Sequence, residues 1–339
     1  MYVIMEQGES YLDINFYKAN DINLDLAVEA REIIRGQTGQ EIPGCIMDKE
    51  SYDQATVTIV RIVEEYAEQI MGKPRGNYIT IEAPVIRENN RQAHQEVVEV
   101  LGKQLATLIH LPEHANVLVV GLGNWNATPD ALGPKVVGMT LVTRHMYNYA
   151  PEEIKGGMRS VSALSPGVLG LTGIETAEII KGVVDKVKPE LVIAVDALAS
   201  RSAERIGTTI QLADTGIAPG SGIGNKRAGI NQESMGVPVI AIGVPTVIPA
   251  AVIAGETLDR LVEQTKNEPQ MLSIYQKMNS EAFQPIVNAI LQPYTSGQLM
   301  VTPKEIDTLI ENTAKIIAGG ISIALHPSIT VEEYTNYLH

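Results

Sequence analysis

A single cysteine, Cys45, stands in 339 residues, so no internal disulfide can form and a disulfide-stapled secreted scaffold is excluded. No uninterrupted apolar run approaches the roughly 18 residues that a membrane span requires, and the first residues, Met1–Gly8, lack the basic and long apolar segments of a signal peptide. The expectation is a cytoplasmic protein without membrane contact. Basic charge is also scarce: 26 Lys and Arg against 40 Asp and Glu give a formal charge of −14, which argues against an electrostatic nucleic-acid binder. No internal repeat or low-complexity tract is present. What remains is a chain long enough to bury a large core as one elaborate α/β domain or two smaller ones.

Several chemistries lack their signatures. Gly121-Leu-Gly123 follows a strand, but position 126 is Asn where the dinucleotide fingerprint needs a third glycine. Gly220-Ser-Gly-Ile-Gly-Asn-Lys226 lacks the Gly-Lys-Ser/Thr order of a phosphate loop and reads as a loop beside a site. There is no Gly-x-Ser-x-Gly elbow, Cys45 has no evident base, and none of the six histidines lies at a predicted strand end. Asp214-Thr-Gly216 matches a pepsin-type tripeptide in a single copy, whereas that chemistry needs two.

The elements that are present alternate. The chain reads as an arm to about residue 25, a helix over Leu26–Ile34, and a Gly/Pro loop. Strands follow at Ala55–Val63 and Tyr78–Glu82, then a helix over 91–110. The buried-strand run Val117–Val120 stops at Gly121 and Gly123. A polar turn carrying Asn124 and Thr128 then brings Asp130 up to a helix that begins near Pro134 and is read through to Tyr147. A helix from Thr172, with its hydroxyl as cap, feeds a second buried run, Leu191–Val195, that ends on Asp196. Further strands fall at Thr208–Ala213, ending on Asp214, and at Val237–Gly243. Helices are read over Pro249–Val262 and Pro303–Ile323, the latter weakened at Gly319-Gly320. This order predicts an α/β fold: a mixed, mostly parallel sheet with helices on both faces. A polar, proline-broken segment near 265–297 reads as a variable insertion in a single domain spanning 26–339.

Asp130 and Asp196 are the chemical candidates. Either one alone is more simply a helix cap. Together, each after a buried strand, they could share the crevice at the strand ends of an open α/β sheet, where two close carboxylates cannot both ionise easily and can divide acid and base roles. Asp214, at another strand end, is a further acid for that neighbourhood.

The blocks Val119–Asn124, Thr128–Lys135, Thr143–His145, Pro166–Val168, Thr172–Thr176, Val195–Ala199, Pro219–Gly222, Gly224–Arg227, Pro238–Gly243 and Leu299–Lys304 occur in the order in which they are found in the germination proteases of spore-forming bacteria, and the chain resembles that family from Asp25 onward. The resemblance implies an atypical aspartic endopeptidase that degrades small acid-soluble spore proteins in the spore core, with Asp130 and Asp196 as catalytic acids. It implies a fold like that of the hydrogenase maturation proteases, whose acids and histidines hold nickel. Here the acids match and no histidine does, so neither metal nor cofactor is expected. The resemblance further implies a homotetramer and an inactive precursor that cuts itself: Asp25-Leu-Ala-Val-Glu-Ala30 is similar to the family's cleavage sites, placing scission between Asp25 and Leu26 and making residues 1–25 a propeptide. Asn124, Thr128, Asp214, Gly220, Ser221 and Gly222 are the expected site-loop or substrate-binding residues. The alternatives are a metal-dependent maturation protease of the related fold and a non-enzymatic α/β binding module.

Overall fold

The computed structural model describes Tyr17 and residues 24–112, 114–147, 157–218, 228–265, 289–290 and 299–337. Most of the expected propeptide, Gly220, Ser221, Gly222 and most of the expected insertion lie outside the described residues.

One nine-stranded sheet organises the chain. Its strands are β1 (Cys45–Ser51), β2 (Thr56–Ile62), β3 (Gly76–Glu82), β4 (Asn116–Gly121), β5 (Ser160–Leu164), β6 (Leu191–Ala199), β7 (Thr209–Ala213), β8 (Val239–Pro249) and β9 (Met300–Val301), in the order β1-β2-β3-β7-β8-β6-β4-β5 with β9 on β8. The strands β8, β6, β4 and β5 run parallel, and β7, β3, β2 and β1 extend the sheet with antiparallel pairings. The runs Val117–Val120 and Leu191–Val195 are apolar at every position because these central strands are covered on both faces. The edge strand β1 shows the opposite pattern: it is exposed along nearly its whole length and is held by its ladder with β2.

Among the described residues the helices of seven residues or more are α1 (Ala27–Thr38), α2 (Glu65–Met71), α3 (Arg91–Leu108), α4 (Leu132–Met139), α5 (Thr176–Val187), α6 (Ala250–Thr265), α7 (Ile306–Leu325) and α8 (Val331–Tyr337). Strand alternation decides their sides. Val117, Val119, Ile193 and Val195 face a core built with α3, α4 and α7. Leu118, Val120, Val192 and Ala194 face Ile180 and Val184 of α5, and farther along the same side α1 and α2 cover Val60, Tyr78, Ala213 and Ala241. Helices thus lie on both faces, as expected for this α/β class. Among the described residues α7 is the one helix long and apolar enough to cross a membrane, yet 72% of its most apolar window is buried inside the protein; its apolarity is that of a core helix.

Several expected boundaries shift for physical reasons. Gly319-Gly320 does not weaken α7 but lets it approach α3: a Cβ on Gly320 would lie 2.6 Å from Leu101, and one on Gly102 would lie 2.3 Å from Ile323. The helix read as Lys135–Tyr147 breaks at Thr140, leaving α4 and a single turn, Arg144–Tyr147. Thr172 closes a short turn, Leu169–Thr172, instead of capping α5, whose N-cap is Glu175. β6 runs through Ala199, so Asp196 sits inside the strand and not at its exit.

Candidate active site

The exit of β4 is shaped by glycine. Gly123 has φ +110, and a Cβ there would lie 2.0 Å from the carbonyl oxygen of Asp130 and 2.9 Å from its Oδ1, so only glycine lets the following turn fold back so closely. The Asn124 N–H donates to the Asp130 carbonyl at 3.1 Å and to its Oδ2 at 2.9 Å, while the Asn124 Oδ1 accepts from Asn126 N–H at 2.9 Å. Thr128 opens the single 3₁₀ turn Thr128–Asp130, which the Ala131 N–H closes onto the Thr128 carbonyl. Asn124 and Thr128 therefore build the loop that holds Asp130. Gly123→Ala should cost about 1–3 kcal/mol through backbone strain at that position and displace Asp130. The check is a lower urea midpoint; an unchanged midpoint would contradict it.

Asp196 meets this turn from the neighbouring strand. Gly121 pairs with Val195, and the Leu122 N–H donates to the Val195 carbonyl at 2.8 Å, so β4 exits alongside Asp196. The turn Thr128–Asp130 rests on β6, β8 and α7. Asp196 is 5% exposed, and its Oδ1 accepts from the Ala197 N–H at 2.9 Å. Neither acid is a helix N-cap: α4 has Ala131 at that position with no side-chain cap bond, and Asp196 lies within a strand.

Beyond Asp196 the register crosses the sheet. Asp196 pairs with Gly243 and Gly243 with Gln211, so the Asp196 and Gln211 side chains stand on one face, about 10 Å apart at their backbones, with no side chain on the strand between. Leu198, two residues along β6, leans over Gly243, where a Cβ would lie 2.4 Å from its Cδ1.

Residues 25–30 are seated over this row. The Asp25 carbonyl accepts from Lys73 Nζ at 2.8 Å and from Gln211 Nε2 at 3.1 Å, its Oδ2 accepts from the Ala199 N–H at 3.1 Å, and the Ala27 N–H donates to Gln211 Oε1 at 2.7 Å. Leu26 is fully buried with Val28, Leu198 and Ile217. Glu29 is 1% exposed and meets Arg205 at 3.2 Å, Ser200 Oγ at 3.3 Å and the Arg201 N–H at 3.2 Å. Burial pushes its carboxyl up to about 6, against the pull of Arg205. Burial likewise lowers the Lys73 ammonium, opposed by Asp25 and Glu29. A cavity of roughly 530 Å³ is lined by Asp25, Lys73, Gln211, Leu198 and Tyr17 among others.

Comparison with known proteins decides the family. A family description of germination protease matches residues 24–270 and 260–338. Germination protease of Caldanaerobacter subterraneus subsp. tengcongensis is 52% identical over 322 residues, 94% of this chain and 98% of the relative. That of Clostridium tetani is 45% identical with 94% and 99% covered, and that of Bacillus subtilis is 40% identical with 98% and 100% covered. The chain belongs to the germination protease family.

A germination protease is a hydrolase of peptide bonds that acts in spores, and the cluster around Asp25 contains residues that the sequence did not offer. Lys73 sits in a turn, Gly72–Gly76, that gave no functional sign. Gln211 did carry one: it is the polar residue within an otherwise apolar buried strand, Ile210-Gln-Leu-Ala213. Asp214 needs correction. Strand β7 is antiparallel to β8, so its C-terminal end points away from the ends of β4 and β6, and the Asp214 carboxylate accepts from Asn77 N–H at 2.8 Å and Asn77 Nδ2 at 2.6 Å. His326 is fully buried at the end of α7, where its Nδ1 accepts from the Arg159 N–H at 3.2 Å and burial lowers its pKa to about 4. Among the described residues no group of three His, Cys, Asp or Glu side chains is arranged to hold a metal ion.

Proposed function

We propose that this germination protease is a self-processing endopeptidase in which Asp130 and Asp196 activate a water molecule, and that it degrades small acid-soluble spore proteins during germination. The observation that supports the catalytic assignment is the β4–β6 register, Gly121 on Val195 with Leu122 bonded to Val195, together with the packing of the Thr128–Asp130 turn on β6. One carboxylate takes a proton from water as its oxygen adds to the peptide carbonyl carbon; the carbonyl π pair moves to oxygen. When that pair returns, the C–N bond breaks and the leaving nitrogen takes up a proton from the acid pair.

The propeptide assignment has its own support. Every residue of Asp25-Leu-Ala-Val-Glu-Ala30 has a defined seat: Asp25 on Ala199, Leu26 and Val28 in an apolar pocket, Glu29 on Arg205, and Ala27 and Ala30 buried against the sheet. A six-residue stretch recognised this completely is what a protease that cuts after Asp25 requires. Tyr17 of the arm is 1% exposed and lines the same cavity as Asp25, consistent with an arm that covers the site until it is removed.

The purified chain, incubated alone, should lose its first 25 residues, read as a new N-terminus at Leu26 by intact mass, and should do so with chelator present. Retention of the arm, or processing that stops with chelator and returns with a divalent ion, would overturn the reading. We assign the spore core as the compartment and a homotetramer as the assembly; light scattering on the processed chain tests the latter.

A further inference from the structure

Two side chains that the mechanism above does not use converge on one backbone oxygen. Lys73, in the turn between α2 and β3, and Gln211, in the middle of β7, both donate to the carbonyl of Asp25, at 2.8 and 3.1 Å. They come from elements far apart in the sequence, 48 and 186 residues from Asp25. An ordinary chain segment has no need of such treatment. Asp25 precedes α1, whose first turn needs donors satisfied at its N–H groups, not acceptors at the residue before its N-cap Leu26. Gln211 serves that need separately, its Oε1 taking the Ala27 N–H at 2.7 Å. A single amide side chain thus grips the backbone on both sides of the Asp25–Leu26 bond, fixing its carbonyl and the N–H one residue beyond.

The cost of the arrangement is visible. Lys73 is only partly exposed, burial lowers its ammonium, and its Nζ stands 5.9 Å from the centre of the Tyr78 ring. Gln211 is a polar side chain at 7% exposure in a strand of apolar neighbours. A cation and an amide placed at this expense against one carbonyl do what donors in an oxyanion site do: they are preorganised toward an oxygen on which negative charge develops.

We infer that Lys73 and Gln211 form the oxyanion cradle of this protease, holding the carbonyl oxygen of the residue before the scissile bond, and that in the precursor the cradle is occupied by Asp25. This rests on the assignment of Asp25–Leu26 as the processing bond. As water adds to the Asp25 carbonyl carbon, the π pair moves onto the oxygen between Lys73 Nζ and Gln211 Nε2. When the pair returns, the bond to the Leu26 nitrogen breaks and that nitrogen takes the proton relayed from water; the new Asp25 α-carboxyl then gives its own proton to the freed amine and departs as a carboxylate from the same two donors. The geometry also accounts for an acid before the bond: the Ala199 N–H holds the Asp25 side chain at 3.1 Å while the Lys73 cation lies at its backbone. The spore proteins that replace the arm enter through the same two donors.

The test follows the precursor from its synthesis. Full-length chain is made by pulse-labelled cell-free translation, and the appearance of the fragment beginning at Leu26 is timed. Lys73→Met and Gln211→Leu should each slow processing by about 10²–10³-fold, with thermal midpoints near wild type, while Lys73→Arg, which keeps a cation and its donors, should recover part of the rate. Should Lys73→Met fail to fold, Gln211→Glu serves: it keeps an acceptor for Ala27 and removes the donor to Asp25, and it too should slow processing. Variants that are processed at the wild-type rate, or whose slowing only parallels a fall in thermal midpoint, overturn the cradle. A wild-type chain that is not cut between Asp25 and Leu26 overturns the processing assignment instead; the two failures are told apart because in the first the wild type still shortens.

Discussion

Asp130→Asn and Asp196→Asn should each remove both of the proposed activities, arm removal and substrate cleavage, by about 10²–10⁴-fold, and the double variant should be little worse than either single one. Asparagine has the shape of aspartate, so the contacts seen here survive: Oδ1 at position 196 still accepts from the Ala197 N–H, and an oxygen at position 130 still accepts from Asn124. What is lost is the ability to take a proton. Groups that act as one unit show non-additive losses, because the first substitution already disables the step that the second would affect. Stability should move the other way. Asp196 is 5% exposed, and a neutral amide is easier to bury than a carboxylate, so Asp196→Asn should unfold at an equal or higher temperature. Intact-mass kinetics and a melting curve on the same preparations check both parts. A single variant that retains wild-type processing, or a double variant whose loss is the product of the two, would remove the paired-acid mechanism.

The parts of the fold that were legible in the sequence are those where burial alone dictates residue type. Val117–Val120 and Leu191–Val195 are covered on both faces and so read as uninterrupted apolar runs, and the glycines after β4 mark a backbone turn that tolerates no Cβ. Those features pointed to Asp130 and Asp196. The edge strand β1 was illegible because Cys45–Ser51 shows no alternation, its apolar Ile46 and Met47 being exposed like its charged residues, and its conformation comes from hydrogen bonds to β2 that sequence patterning does not record. Asp196 was placed at the strand's end because a buried polar residue looks like one, whereas β6 continues through Ala199, with the Leu198 side chain over Gly243. The misplacement of Asp214 has a topological cause: a strand end is the same signal in a parallel and an antiparallel strand, and only the pairing of β7 with β8 says which edge it faces. Lys73 and Gln211 meet at Asp25 across separations of 48 and 186 residues, and no local pattern carries a contact of that range.

Arg205→Met is the substitution expected to cost the most stability. The guanidinium joins three carboxylates, Glu29 at 3.2 Å, Glu32 at 2.9 Å and Glu82 at 3.1 Å, and of these Glu29 has almost no access to water. Removing the cation from a buried pair leaves an uncompensated charge, a loss of about 3–5 kcal/mol at neutral pH. The pH dependence identifies the cause. In the wild type, burial holds the Glu29 carboxyl at about 6, above its ordinary 4.5, so between those values the folded chain binds more protons than the unfolded one. Stability therefore falls as pH rises through that window, by roughly 2 kcal/mol. Without Arg205 the carboxyl should rise further, the window should extend to higher pH, and most of the loss should vanish near pH 4.5, where Glu29 can be buried neutral. Urea unfolding of both proteins at about pH 4.5 and pH 7.5 makes the comparison, and Glu29→Gln added to Arg205→Met should restore much of the stability at the higher pH. An equal loss at both values would show that Arg205 contributes packing and not charge. Because Glu29 anchors α1 three residues past Leu26, the same variant should also slacken the hold on the Asp25 carbonyl, and its processing should recover together with its stability when Glu29 is made neutral.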